Sequence, residues 1–211
     1  MDRYLANPNV EDVRIGQTKL ARLIVVEKYK RWINSKVPGQ TSYVTSTCLD
    51  FAHLLARDEM KTKMTLSILR DCQYYEASLH GFVVMSHHVH LLVTPKSDET
   101  MSSLMRNIKR RSAKILIPHL NEFEKTQISM QKGLNRHSFW KEGFRGLSIV
   151  TTPIFSQKLH YIHSNPLRAN IEQSPEDYFW SSFKQYHIGN VSDEFVLDLP
   201  KCIRFYELNS Q

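Results

Sequence analysis

Two apolar segments joined by a two-residue link constrain this chain more than any other feature. Tyr75–Met85 and His88–Thr94 are rich in β-branched, aromatic and aliphatic residues, with only Ser86-His87 between them. So short a link leaves no room for a crossover, so the two read as neighbouring antiparallel strands. Pro95 ends the second of them. Ser42–Cys48, again β-branched and aromatic, reads as a third strand. Between these strands, residues 59–73 place Met60, Met64, Ile68 and Cys72 at four-residue spacing, an apolar helical stripe. Met101–Leu120 repeats the helical pattern with Leu104, Ile108, Ile115 and Ile117, and Pro118 bends or ends it. Strand, helix, strand, strand, helix predicts an α+β fold, an antiparallel sheet with helices on one face.

Around this core the chain divides into three. Residues 1–39 form an N-terminal helical extension, whose helix over Lys19–Lys36 is stopped by Pro38-Gly39. Residues 40–190 are the main domain and 191–211 a polar tail. Residues 121–138 are polar and read as a loop, and Ile154–His163 as a short helix closed by Asn165-Pro166. Hydrophobic content of 41% suits a packed core rather than a disordered chain. No apolar run approaches the about 18–20 residues of a membrane span, so no membrane partner is expected. The first residues lack the layout of a signal peptide. Cys48, Cys72 and Cys202 form no CxxC, which suits reduced thiols and a cytoplasmic protein. The net charge of +7 favours a polyanionic partner.

The chemistry concentrates in Met85-Ser86-His87-His88-Val89-His90-Leu91-Leu92-Val93. Residues two apart on a strand share a face, so His88 and His90 stand side by side, about 6.5–7 Å apart along the backbone. Two imidazoles so placed can converge on one divalent metal at about 2.0–2.2 Å each. The plain alternative is a histidine pair satisfied by hydrogen bonds at a strand end, and both readings stand. His87 has the opposite parity and is excluded as a ligand. A hydrolytic HxHxDH site is disfavoured, because it needs aspartate where Leu92 stands.

The helix that follows carries Arg106, Lys109, Arg110, Arg111 and Lys114 and no acidic residue. Such a run is either a solvated basic face or a grip on nucleic-acid phosphates, which gains affinity by releasing counterions. Ser112, Leu116 and His119 lie on one stripe of it, so His119 is a candidate third metal ligand.

Residues 81–95, GFVVMSHHVHLLVTP, resemble the strand pair of the REP-associated tyrosine transposases, single-tyrosine HUH transposases of small insertion sequences. Phe139–Phe144, Tyr161–Ala169 and Pro175–Ser182 are similar to that family's LWQxGF, YIxxNPVRAGL and PEDYPWSS segments, in the same order. The resemblance implies an HUH, ferredoxin-like core and a divalent cation, Mg or Mn, held by His88 and His90. It further implies single-stranded or hairpin DNA as partner, gripped by Arg106, Lys109, Arg110, Arg111 and Lys114. The reaction implied is attack by a tyrosine, which becomes joined to the DNA 5′-phosphate and allows rejoining without ATP. In this resemblance the nucleophile follows the basic cluster, and there the chain has Ser112. Three readings follow: Tyr161 supplies the nucleophile, Ser112 attacks directly, or the chain is a catalytically silent DNA-hairpin-binding relative. Trp140, Phe144 and Trp180 are expected as packing anchors, and Arg145 and Arg168 as phosphate contacts or solvated surface. Both monomers and homodimers occur among such proteins, and nothing in the chain chooses between them.

Overall fold

In the computed structural model, residues 36–128, 130–131 and 136–210 are described. The expected N-terminal extension, up to residue 35, lies outside them. The strand pair forms as its short link demands: β2 (Ser78–Val84) runs antiparallel to β3 (His88–Thr94). β1 (Ser42–Thr47) pairs on the other side of β3, with Thr45 opposite His90 and Thr47 opposite His88. Two-residue strands β4 (Met130–Gln131) and β5 (Arg136–His137) pair with each other. β6 (Arg145–Ser148) closes the main sheet, whose order is β2-β3-β1-β6. The expected start of β2 at Tyr75 is three residues early. There α1 (Asp58–Tyr74) is still ending: the Ala77 N–H donates to the Cys72 carbonyl and the Glu76 N–H to that of Gln73, with Glu76 at φ 52°. This is a Schellman stop with a left-handed non-glycine residue.

Strand alternation sorts the side chains into two layers. Val89, Leu91 and Val93 pack with Met64 and Ile68 of α1 and with Leu104 and Ile108 of α2 (Met101–Leu116). On the other face Leu92, Tyr43 and Val83 pack against Leu159 and Ile162 of α4 (Thr152–Arg168). The α+β architecture with an antiparallel sheet is therefore as expected, but helices cover both of its faces. Close approach of α4 depends on Gly81, where an added Cβ would lie 2.6 Å from Leu159 Cδ1.

Several segments differ from expectation. The segment 121–138 contains α3 (Glu122–Thr126), nucleated by a capping box in which Asn121 and Glu124 exchange hydrogen bonds. α4 does not stop at Asn165-Pro166 but runs through Pro166 to Arg168. Proline forfeits one helix hydrogen bond, yet Leu159, Ile162 and Pro166 are all buried, and that burial carries the helix onward. Its stop is a second Schellman turn, with Asn170 at φ 53° and the Ile171 N–H on the Pro166 carbonyl. α2 gives way at Ile117 to a single 3-10 turn holding Pro118. The supposed tail carries α6 (Leu199–Asn209), after the short α5 (Phe183–His187), and buries Cys202 and Tyr206 in the core.

Trp180-Ser181-Ser182 covers the outer edge of β2. The Val84 N–H donates to the Trp180 carbonyl, the Ser182 N–H to that of Phe82, and Tyr206 Oη to the Ser181 carbonyl at 2.9 Å. An edge strand is thereby shielded from pairing with other chains. The three cysteines are free and buried. Among the described residues no helix is long and apolar enough to cross a membrane.

Candidate functional site

His88 and His90 share the sheet face that α4 covers. Their Nε2 atoms converge to 3.1 Å. Two nitrogens bound to one cation at about 2.1 Å, at angles between square and tetrahedral, lie about 3.0–3.4 Å apart. The pair therefore fits a divalent cation as two of its ligands. On its far side, His90 Nδ1 lies 2.8 Å from both Tyr43 Oη and Thr45 Oγ1. Such partners orient a ligating imidazole and select its tautomer. His88 Nδ1 is buried with no partner among the described residues. Burial, with the neighbouring histidines, pushes His88 down to about 4 and His90 to about 3. Both rings are thus neutral near pH 7, with lone pairs available for a metal.

Facing this pair is Tyr161, on α4. Its ring centroid lies 5.6 Å from that of His90 and 6.0 Å from that of Tyr43. Two cations attend it: Lys158 Nζ at 5.9 Å and Arg168 Cζ at 5.3 Å from the ring centre. Asn165, one helical turn beyond Tyr161 on the same stripe, is nearly buried. A phenol, two cations and a convergent imidazole pair can together hold a phosphodiester and attack it.

Ser112 stands elsewhere. It lies on α2, across the sheet, with no solvent exposure. Its hydroxyl donates to the Lys109 carbonyl at 3.2 Å and accepts from Trp140 Nε1 at 3.0 Å. That is a packing role for Ser112 and for the expected anchor Trp140. His119 is not brought to the histidine pair either. Its 3-10 turn leaves α2 toward α1, where Nδ1 lies 3.6 Å from Glu59 Oε1 and Arg57 holds its carbonyl. Among the described residues no group of three or more His, Cys, Asp or Glu side chains is arranged to hold a metal ion.

The five cations of α2 divide by what they touch. Arg111 pairs with the buried Asp71 at 2.6 Å and lies over the Tyr74 ring. Lys109 donates to the Lys141 and Gly143 carbonyls, and burial lowers its pKa. Both are engaged in the fold. Arg106, Arg110 and Lys114 are exposed and have no ion-pair partner among the described residues. Arg106 borders a cleft of about 660 Å³ with Trp140, Lys141 and Phe144. Arg110 and Lys114 border a second, of about 500 Å³. This basic face and the histidine pair lie on opposite faces of the sheet.

Sequence reasoning missed Tyr43 and Thr45, which emerge only from the register of β1 on β3, whereas helical spacing alone puts Lys158 and Asn165 on the face of Tyr161.

With this geometry established, comparison with known proteins gives two findings. A family described as "Transposase IS200 like" matches residues 50–165, more than half the chain. A solved structure of a REP-associated tyrosine transposase bound to a REP hairpin superposes with a TM-score of 0.57. It is 18% identical, and the match covers 75% of this chain and 86% of that one, a likeness of fold. No curated protein matches the chain at a significant level.

Proposed function

Because the chain belongs to the IS200-like transposase family, we propose that it binds DNA hairpin ends and cleaves and rejoins the single strand beside them. The observation that carries this reading is the meeting on one sheet face of two Nε2 atoms 3.1 Å apart and a tyrosine ring 5.6 Å from His90. Tyr161 is the attacking residue. Its phenolic oxygen forms a bond to the phosphorus, and the bond from phosphorus to the 3′ oxygen breaks. The phenol gives up its proton as it attacks, the 3′ oxygen takes up a proton in exchange and leaves as a hydroxyl, and Tyr161 keeps the 5′-phosphate. Attack by a 3′ hydroxyl in the reverse sense rejoins the strand and frees the tyrosine, with no ATP.

His88 and His90 would hold the divalent cation, Mg or Mn, with the Asn165 amide oxygen on the Tyr161 stripe as the third ligand. Bound there, the cation supplies Lewis-acid neutralisation of phosphate charge. Tyr43 and Thr45 keep His90 in the tautomer that leaves Nε2 bare. Lys158 and Arg168 set positive charge beside the phenol, where negative charge develops during attack. Arg106, Arg110 and Lys114 take phosphates of the duplex part on the other face.

A labelled hairpin oligonucleotide with a single-stranded extension, mixed with protein and Mg²⁺ or Mn²⁺, tests this on a denaturing gel. Expected is a covalent adduct that Tyr161→Phe abolishes and Ser112→Ala retains. An adduct that survives Tyr161→Phe overturns the assignment. DNA binding without any adduct from the unaltered protein makes it the silent binding relative instead.

A further inference from the structure

The turn that follows β1 is strained and carries its aromatic side chain into water. Asp50 and Phe51 have φ of 48° and 59°, consecutive non-glycine residues in the left-handed region. The Phe51 side chain is nonetheless 56% exposed, so burial of the ring does not explain the strain. What surrounds it is a line of rings that leads to the candidate site. The His87 ring lies 6.3 Å from Phe51, and the His88 ring 4.4 Å from His87. His53 lies 5.0 Å from His87, and both share the Ser86 hydroxyl. Over the Phe51 ring stands Lys141, its Nζ 5.1 Å from the ring centre.

These parts are locked together by backbone. The Cys48 N–H donates to the His87 carbonyl at 2.8 Å, the Leu49 N–H to that of Phe139 at 3.0 Å, and the Lys141 N–H to that of Thr47 at 2.9 Å. Lys109, one of the two cations withdrawn from the basic face, donates to the Lys141 carbonyl and so fixes the segment that carries Lys141. The arrangement is a half-apolar shelf fixed by backbone hydrogen bonds, with the Lys141 ammonium over it, beside the histidine pair.

We propose that Phe51 and His87 form a stacking platform for an unpaired nucleobase of a single strand running to His88 and His90, with Lys141 taking the adjoining phosphate. The proposal rests on the reading of the chain as a DNA-acting transposase and names the part that engages the unpaired strand. An aromatic face beside a lysine is the arrangement by which single strands are held without base-edge contacts. At the about 3.4 Å rise of a stacked strand, Phe51 lies within a few nucleotides of His88. In a bare hairpin the only unpaired bases are those of the loop, at the opposite end of the duplex from an extension, so a platform for the extending strand gains nothing from it.

The test is fluorescence anisotropy with the full chain in EDTA, which prevents cleavage, on a hairpin with an unpaired extension and on the same hairpin without one. Phe51→Ala should weaken binding of the extended hairpin about 5- to 150-fold, the range for losing one stacked base, and leave the bare hairpin unchanged. Phe51→Trp should restore the affinity, with its fluorescence quenched by the extended hairpin alone. Equal affinities of Phe51→Ala and the unaltered protein for the extended hairpin overturn the platform, as does an equal loss on both probes. Failure of the unaltered protein to bind either probe overturns the functional reading as well.

Discussion

Replacing Gly81 with alanine tests how the two halves of the candidate site are held together. Gly81 lies on β2, beside the strand that carries His88 and His90, and Leu159 lies two residues before Tyr161 on α4. A Cβ at position 81 would stand 2.6 Å from Leu159 Cδ1, 3.5 Å from Ser182 Oγ and 3.8 Å from Ile162 Cδ1. Carbon atoms in contact prefer about 3.5–4.0 Å, so only the first distance is a clash, short by about 1 Å. Leu159 is 5% exposed and cannot swing into solvent, so α4 must back away or Leu159 must leave its rotamer. Overpacking of this kind costs about 1–3 kcal/mol. An outward shift of α4 also carries Tyr161 from the histidines, and a misplacement of about 1 Å can slow a reaction about 100-fold.

Urea unfolding measures the first effect and the rate of covalent adduct formation the second. Leu159→Ala alone should cost about 2–5 kcal/mol by leaving a cavity. In the double variant the new methyl group meets that cavity instead of a side chain, so the combined loss should fall short of the sum by about 1 kcal/mol or more. Losses that add would refute the close-approach argument. Gly81→Ala with unchanged stability and an unchanged adduct rate would refute the coupling of helix position to chemistry.

Three further expectations concern pH, packing and charge. Burial holds His90 and His163 down to about 3, so between about pH 6.5 and 3 the unfolded chain binds protons that the folded one refuses. Their contribution is complete above pH 6.5 and declines on acidification, by about 2 kcal/mol for each group at pH 5; urea midpoints in EDTA that do not move between pH 7 and 5 would contradict this. Ser112→Ala should lower stability by about 1–3 kcal/mol, because the buried Trp140 N–H loses its acceptor, while the adduct rate per folded molecule stays unchanged. Arg106→Gln and Lys114→Gln should each reduce the slope of log affinity against log salt by about 1. Lys109→Gln should instead reduce thermal stability, since its ammonium bonds two backbone carbonyls.

Some errors of the sequence reading have a common cause. Asn165-Pro166 reads as a helix stop because proline removes a helix donor, but the propensity was outweighed by burial of Pro166 on the sheet. The capping box of Asn121 and Glu124 was open to a pattern search and lay hidden in a polar stretch read as loop. Lys109 and Arg111 look like members of a basic face until their partners are known. Asp71 lies forty residues before Arg111 and the Gly143 carbonyl thirty-four after Lys109, and no local periodicity carries such information.

The amino-acid order alone determined the antiparallel pairing of β2 and β3, the stripes of α1 and α2, and the common face of His88 and His90. These follow from backbone geometry with a repeat of two or of 3.6 residues, which any short window expresses. The tertiary structure alone decided which side of the sheet each helix covers, and hence that Tyr161 rather than Ser112 meets the histidines. That choice arises from contacts between segments nearly eighty residues apart, such as Leu159 against Gly81, where the competing arrangements differ only in what each apolar stripe finds to bury.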